Sequence, residues 1–357
     1  MKKRFIYLLL AVSLVISLLA GCSQPVEEPA TPATPATPAT PATPATPATP
    51  EPAKESFKID FAIHTNSGTN ENETLLRFKE LVEERTDGQI EVNLFPDAVL
   101  GTELENLEQV KVNEVQMSIF GDNLIGQLAP EFGPTIVPFI FKNVDDVFAA
   151  WEGELGDLIK GAVETKGNQI VVALQERGAR NLTASKEINT PADLKGLKIR
   201  VPEISSWLTM WAELGAIPTP IAWSETYSAL QTGVANGQEN PISNIYVNKI
   251  YEVNDYVIMT EHLYNVFHWT INKDFYNSLP ADFQDIIMDT AAEVTAWGDE
   301  RLADAENALV EEMKALGVKF IEVDKDEFIS VAATGIDKVA ETWDPRAKAI
   351  VEEYLGN

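Results

Sequence analysis

Cysteine is all but missing from this 357-residue chain. The single one, Cys22, rules out internal disulfides and cysteine-based metal sites. Histidine is scarce too: His64, His262 and His268 show no metal-ligand spacing. Neither a Gly-x-Ser-x-Gly elbow nor a phosphate-loop glycine pattern occurs, so no enzyme, cofactor or metal site is expected. Carboxylate pairs are unavoidable among 55 acidic residues and carry no weight. Basic residues number only 27, giving a formal charge of −28, which excludes nucleic acid as a partner. An acidic exterior repels anions at long range, so an anionic ligand would need strong local help.

The one long apolar run is at the start. Lys2, Lys3 and Arg4 precede Phe5 to Ala20, a basic segment and an apolar segment with the proportions of a signal peptide, too short for a comfortable membrane span. Leu19-Ala20-Gly21-Cys22 follows and resembles the bacterial lipobox. The expectation is a lipoprotein signal peptide over residues 1–21 and an acylated (palmitate-type) Cys22 anchoring the protein to the outer face of the cell membrane. Loss of the leader's three basic residues moves the charge from −28 to −31. Pro29 to Pro52 is a Thr-Pro-Ala repeat with no apolar periodicity, so residues 22–56 are expected to form an extended tether. At about 3.1 Å per residue, about 20 of the repeat residues alone would reach about 60 Å. About 300 residues remain, which suggests two lobes.

Phe57 to Ile63 alternates as a strand, and Leu75, Phe78, Leu81 and Val82 have helical spacing. Strands over 89–95 and 116–120, with a helix over 102–113 between them, make β-α-β units and predict an open parallel sheet. Gln169 to Leu174 reads as a strand. Thr190-Pro191-Ala192-Asp193-Leu194-Lys195-Gly196 carries an N-cap, a first-turn proline and a terminating glycine, which bounds one helical turn. A strand over 197–201, a tryptophan-rich helix ending at Gly215, a strand leading to Trp223 and a helix capped by Ser224 follow. From Pro280 to Leu316 the spacing predicts one helix of about 50 Å, long enough to bridge both lobes, with Gly298 permitting a bend.

Seven arginines remain beyond the leader, and Arg177, Arg180 and Arg200 crowd into one stretch. In Leu197-Lys198-Ile199-Arg200-Val201 the period of two puts Arg200 opposite the apolar face. It then faces either water at a sheet edge or a cleft between lobes, where a guanidinium can hold a carboxylate through two parallel hydrogen bonds. Asn240, fixed in extended backbone by Pro241, belongs either to a surface turn or to a ligand contact. Trp223 is either core or an apolar wall against a ligand.

Three segments carry a resemblance: Arg180-Asn181-Leu182-Thr183 with Thr190 through Pro202, Gly215 through Pro220 with Ser224 through Gly233, and Asn236-Gly237-Gln238-Glu239-Asn240-Pro241. Together they resemble the core signature of DctP-type substrate-binding proteins of TRAP transporters, and weaker similarity extends over nearly all of residues 57–357. The resemblance implies an α/β, two-lobed periplasmic-binding-protein-like fold with a central cleft and a long helix spanning both lobes. On this basis lobe I is expected over 57–177 plus 266–297, and lobe II over 178–265 plus 298–357. It implies a carboxylate clamp at Arg200, a second cationic contact at Arg180, an amide contact at Asn240 and an aromatic wall at Trp223, where relatives commonly carry phenylalanine. His64, Glu103 and Asp122 map to the opposing lobe. Glu176 and Glu203 are candidates to accept hydroxyl hydrogen bonds, and Arg177 and Trp207 lie nearby in sequence. The expected partners are a small organic acid, the TRAP membrane permease and the membrane itself through the lipid anchor. The receptor is expected to be a monomer. A dicarboxylate, a sugar acid, a 2-oxo or hydroxy acid and an aromatic acid all suit one arginine clamp. The receptor of an ATP-driven importer and a non-transport surface lipoprotein stand as alternatives.

Overall fold

The computed structural model describes residues 55–355. The leader, Cys22 and the repeat lie outside the described residues. Among the described residues nine strands form one sheet: β1 (Phe57–Ala62), β2 (Ile90–Phe95), β3 (Met117–Phe120), β4 (Gln169–Ala184), β5 (Lys198–Val201), β6 (Ile217–Pro220), β7 (Gly237–Asn240), β8 (Tyr256–Asn272) and β9 (Lys319–Glu322). Their order is β2-β1-β3-β8-β4-β7-β5-β6, with β9 paired to β8.

This corrects the expectation of a parallel sheet. Pairs β1–β2, β1–β3, β5–β6, β5–β7 and β8–β9 are parallel, whereas β8 runs antiparallel to β3 and β4, and β4 antiparallel to β7. The cause is the length of β4 and β8. The strand expected to end at Leu174 continues to Ala184, and β8, which the sequence pattern did not mark, is 17 residues long. This antiparallel pair runs from the β1–β3 group to the β5–β7 group.

The β4–β8 register slips between Glu176 and Ala179, where three steps on β4 match two on β8. Gly178 sits there at φ +80°, backbone that an L side chain rarely adopts. Simple alternation would send Arg177 and Arg180 to opposite faces, and the extra residue brings both to one cavity.

Local signals hold where side chains close their own turns. Thr102 and Glu105 form a reciprocal capping box for the helix Glu103–Lys111, and Thr190 and Asp193 do the same for the short turn Pro191–Leu194. Gly215, at φ +90°, ends the segment after the helix Ser205–Glu213 as expected. Ser224 does not cap a helix. It lies inside a 3-10 turn, Trp223–Glu225, that leads into the helix Thr226–Gln231, and neither element has a side-chain cap.

The long helix runs Ala281–Ala315, 35 residues, or about 52 Å. Its first half buries Phe283, Ile287, Ala291 and Val294 with Ile59, Phe61, Phe78 and Trp269, and its last turns bury Met313 with Ile245, Ile250 and Val257. Gly298 serves packing. A Cβ there would stand 2.5 Å from Thr74 Oγ1 and 2.8 Å from Gln175 Nε2, and its carbonyl accepts from Asn70 Nδ2 at 3.1 Å.

Candidate functional site

The carboxyl ends of parallel strands in an open α/β sheet leave a crevice, and here two sets of such ends line one cavity. His64 and Thr65 follow β1. Asp122 and Asn123 follow β3, with Glu103 from the first turn of the helix Glu103–Lys111. Facing them, Arg200 lies within β5 with Pro202 and Ile204 beyond it, Trp223 follows β6, and Asn240 ends β7 with Asn244 on the next helix. Arg177 and Arg180 enter from the β4 bulge. The cavity is small, about 30 Å³, and polar. His64 and Trp223 also line a neighbouring recess of about 200 Å³.

The three arginines differ. Arg180 is spent on Glu239: Nε donates to Oε2 at 2.6 Å and Nη2 to Oε1 at 2.9 Å and to the Glu239 carbonyl at 2.8 Å. Burial alone would raise the Glu239 pKa, but the Arg180 guanidinium overrides it and holds the carboxyl at about 2. Burial keeps His262 neutral, so Nε2 can donate to Glu239 Oε2 at 3.2 Å while Nδ1 accepts from Thr260 at 2.8 Å. The indole of Trp207 covers Arg180 at 5.0 Å.

Arg200 is only 4% exposed, so the water-facing reading is overturned. Nε donates to the Ile221 carbonyl at 2.8 Å, and Trp223 lies under the guanidinium at 5.5 Å. Among the described residues no carboxylate lies within 4.0 Å of it, in contrast to Arg180. Burial and the nearby Arg180 and Arg177 charges push its pKa down to about 10, which still leaves it cationic at neutral pH. Arg177 stacks on Phe267 at 4.1 Å, and its Nη1 is 4.0 Å from Asp122.

The opposing wall is rich in acceptors. Glu103 takes the Gly121 N–H at 2.6 Å and Asn123 Nδ2 at 2.5 Å. Burial works to raise its pKa, but His64, the Asn123 amide and Arg177 outweigh it, so Glu103 is ionised. Asp122 accepts from Asn265 at 2.6 Å, and burial outweighs Arg177 and Arg180 to push it up to about 6. Asp122 Oδ1, Asn123 Oδ1, Thr65 Oγ1 and His64 Nδ1 are buried without a protein partner.

Of the expected residues, His64, Glu103, Asp122, Arg180, Arg200, Trp223 and Asn240 line this cavity, and Arg177 joins them. Glu176 and Glu203 do not. The Glu176 side chain lies beyond the bulge, beside Asp299, which takes its backbone N–H at 2.8 Å. Glu203 is exposed, with its carbonyl bound by Gln127 Nε2 at 2.9 Å. Thr65, Asn123 and Asn244 also line the cavity and were not singled out from sequence. Asn123 had one signal, its place just after the Gly121-Asp122 strand end. Asn240 is no surface turn: β7 is buried throughout, and Asn240 Nδ2 donates to Gln238 Oε1 at 2.8 Å.

Polar side chains converging from two groups of strand ends, in a mixed α/β fold crossed by one long helix, define a two-lobed solute-binding protein. The chain belongs to the DctP family, the bacterial extracellular solute-binding proteins of family 7, whose model matches residues 61–342. A solute-binding protein of Roseobacter denitrificans is 34% identical over 281 residues, 78% of this chain and 86% of the relative. The crystal structure of a TRAP periplasmic solute binding protein from that organism, with bound L-galactonate, superposes with a TM-score of 0.80 at 30% identity, covering 84% of this chain and 99% of its own. The 2,3-diketo-L-gulonate-binding periplasmic protein YiaO of Escherichia coli is 31% identical (75% and 82% covered), and the C4-dicarboxylate-binding periplasmic protein DctP of Rhodobacter capsulatus 30% identical (76% and 82%). No helix among the described residues is long and apolar enough to cross a membrane.

Proposed function

We propose that this chain is an extracytoplasmic receptor that binds a small organic acid through Arg200 and delivers it to a TRAP-type permease, held at the membrane by lipid on Cys22. The observation that carries the reading is Arg200: a buried cation with one hydrogen bond and no carboxylate partner among the described residues. An uncompensated buried charge is costly, and a ligand carboxylate would compensate it with two parallel hydrogen bonds. The acidic exterior does not oppose this at contact range, because charge pairing strengthens where water is excluded.

A cavity of about 30 Å³ holds few atoms, so a ligand enters by separation of the walls, and His64 and Trp223 are the partition toward the larger recess. Closure then draws on contacts from both groups of strand ends, with β4, β8 and the long helix as connections. The lobe division at 57–177 plus 266–297 and 178–265 plus 298–357 belongs to this reading. The names of the relatives support a TRAP system, and neither an ATP-driven importer nor an adhesive module finds support among them. Thermal denaturation of the purified protein against a panel of organic acids tests the reading. A rise in Tm with at least one acid is expected, and no response to any acid would sink it.

A further inference from the structure

Relatives and solved structures of comparable similarity carry names of different ligands, among them a C4-dicarboxylate, a diketo sugar acid, L-galactonate and D-glucuronate, and the names alone do not assign one to this chain. The charges in the cleft narrow the choice. On the β5 side Arg180 is neutralised by Glu239, which leaves one guanidinium, Arg200, for one carboxylate. On the opposing wall, Glu103 and Asp122 face a single guanidinium, Arg177, and both line the cavity. A second ligand carboxylate at that wall would meet two carboxylates and one cation.

We propose that the cleft selects a monocarboxylate bearing several hydroxyl groups, with Glu103 and Asp122 as the specificity-determining acceptors that take the hydroxyls and turn away a second carboxylate. The inference rests on Arg200 as the carboxylate anchor. Its independent support is the set of unpartnered polar atoms on that wall: Asp122 Oδ1 and Asn123 Oδ1 are pure acceptors and the Thr65 hydroxyl can accept, while Arg177 Nε is a donor that a ligand hydroxyl oxygen can meet. Asp122 and Asn123 are 4% and 6% exposed, so only a ligand or trapped water can serve them. Hydroxyl groups donate to carboxylates through short, charge-assisted bonds, and an apolar chain would leave these acceptors unpaired. An ammonium would suit the two acids but not Arg177, whose Nη1 is 4.0 Å from Asp122. Glu103 keeps acceptor capacity after its bonds to Gly121 and Asn123, because a carboxylate offers about four lone-pair sites.

Calorimetric titration of the wild-type protein at pH 7.5 with D-glucuronate, L-galactonate, succinate, pyruvate and L-glutamine tests this. The hydroxylated monocarboxylates are expected to bind at least ~100-fold more tightly than succinate, since a site built for hydroxyls discriminates strongly. Succinate, pyruvate or L-glutamine binding as tightly or more tightly would overturn the proposal and leave Arg200 as anchor standing. Failure of every acid to bind would sink both. Glu103→Gln and Asp122→Asn preserve side-chain shape, and circular dichroism reports whether each is folded. Each is expected to narrow the gap between the hydroxylated acids and succinate by about tenfold or more. A gap unchanged in both folded variants would place the selectivity elsewhere and overturn the assignment.

Discussion

Arg180 and Arg200 are almost equally buried, at 3% and 4% exposed, yet their surroundings have opposite charge balance. Glu239 meets Arg180 with a fork of short bonds, and His262, itself held by Thr260, bonds Glu239 in turn. Around Arg200 the chain supplies one carbonyl and an indole face. An arginine satisfied by the fold is part of the scaffold; one left with a single partner is available to a ligand. Burial and charge do not separate the two, whereas the position of one carboxylate does.

Breaking the satisfied pair should produce the largest effect on stability. Glu239→Gln strands a buried cation, and urea denaturation is expected to show a loss of about 3–5 kcal/mol. A loss below 1 kcal/mol would mean that Arg180 needs no internal partner, and the contrast with Arg200 would collapse. Gly298→Ala probes the helix that joins the two core clusters. The added methyl meets Thr74 and Gln175, so about 1–3 kcal/mol of stability should go. Arg200→Gln in ligand-free protein should do the reverse of Glu239→Gln: removing an unpaired buried charge is expected to leave stability unchanged or raised by about 1 kcal/mol. A loss as large as that of Glu239→Gln would show Arg200 to be scaffold too.

A smaller effect belongs to Glu306, beside the Gly178 bulge. Burial raises its pKa from 4.5 to about 7, with the Ser243 N–H at 3.3 Å only partly offsetting that. The folded chain therefore holds a proton that the unfolded chain has lost, and this group's contribution to stability falls as pH rises from about 4.5 to about 7. Glu306→Gln should raise Tm by about 3 °C at pH 8 and leave it unchanged near pH 4.5. An equal shift at both values would show that the carboxyl does not titrate in this window. Comparison with wild type at each pH cancels the opposite contribution of His268, whose pKa burial pushes down to about 4.

The sequence was readable where a signal is local. The N-cap Thr190, first-turn Pro191 and terminating Gly196, and the apolar spacing of the long helix, all act within a few residues and appear as expected. It was not readable where two distant segments decide an outcome. β8 is buried on both faces for most of its length, and Asn265, His268, Thr270 and Asn272 interrupt its apolar run because their partners lie on other elements, so neither alternation nor a hydrophobic run survives. The shared cavity of Arg177 and Arg180 depends on a bulge that only the β4–β8 register reveals. Family similarity pointed to both Arg180 and Arg200 as cations in the cleft, but the Glu239 partner that divides their roles lies 59 residues from Arg180.

The most direct test of the account is the affinity of Arg200→Gln for D-glucuronate, or for whichever organic acid gives the largest rise in Tm with wild-type protein, measured by titration calorimetry. Loss of one partner of a buried, hydrogen-bonded charge pair is expected to weaken binding by about 100-fold or more while the Tm of the ligand-free variant stays at or above wild type. Wild-type affinity in the folded variant would contradict the central claim that Arg200 holds the carboxylate.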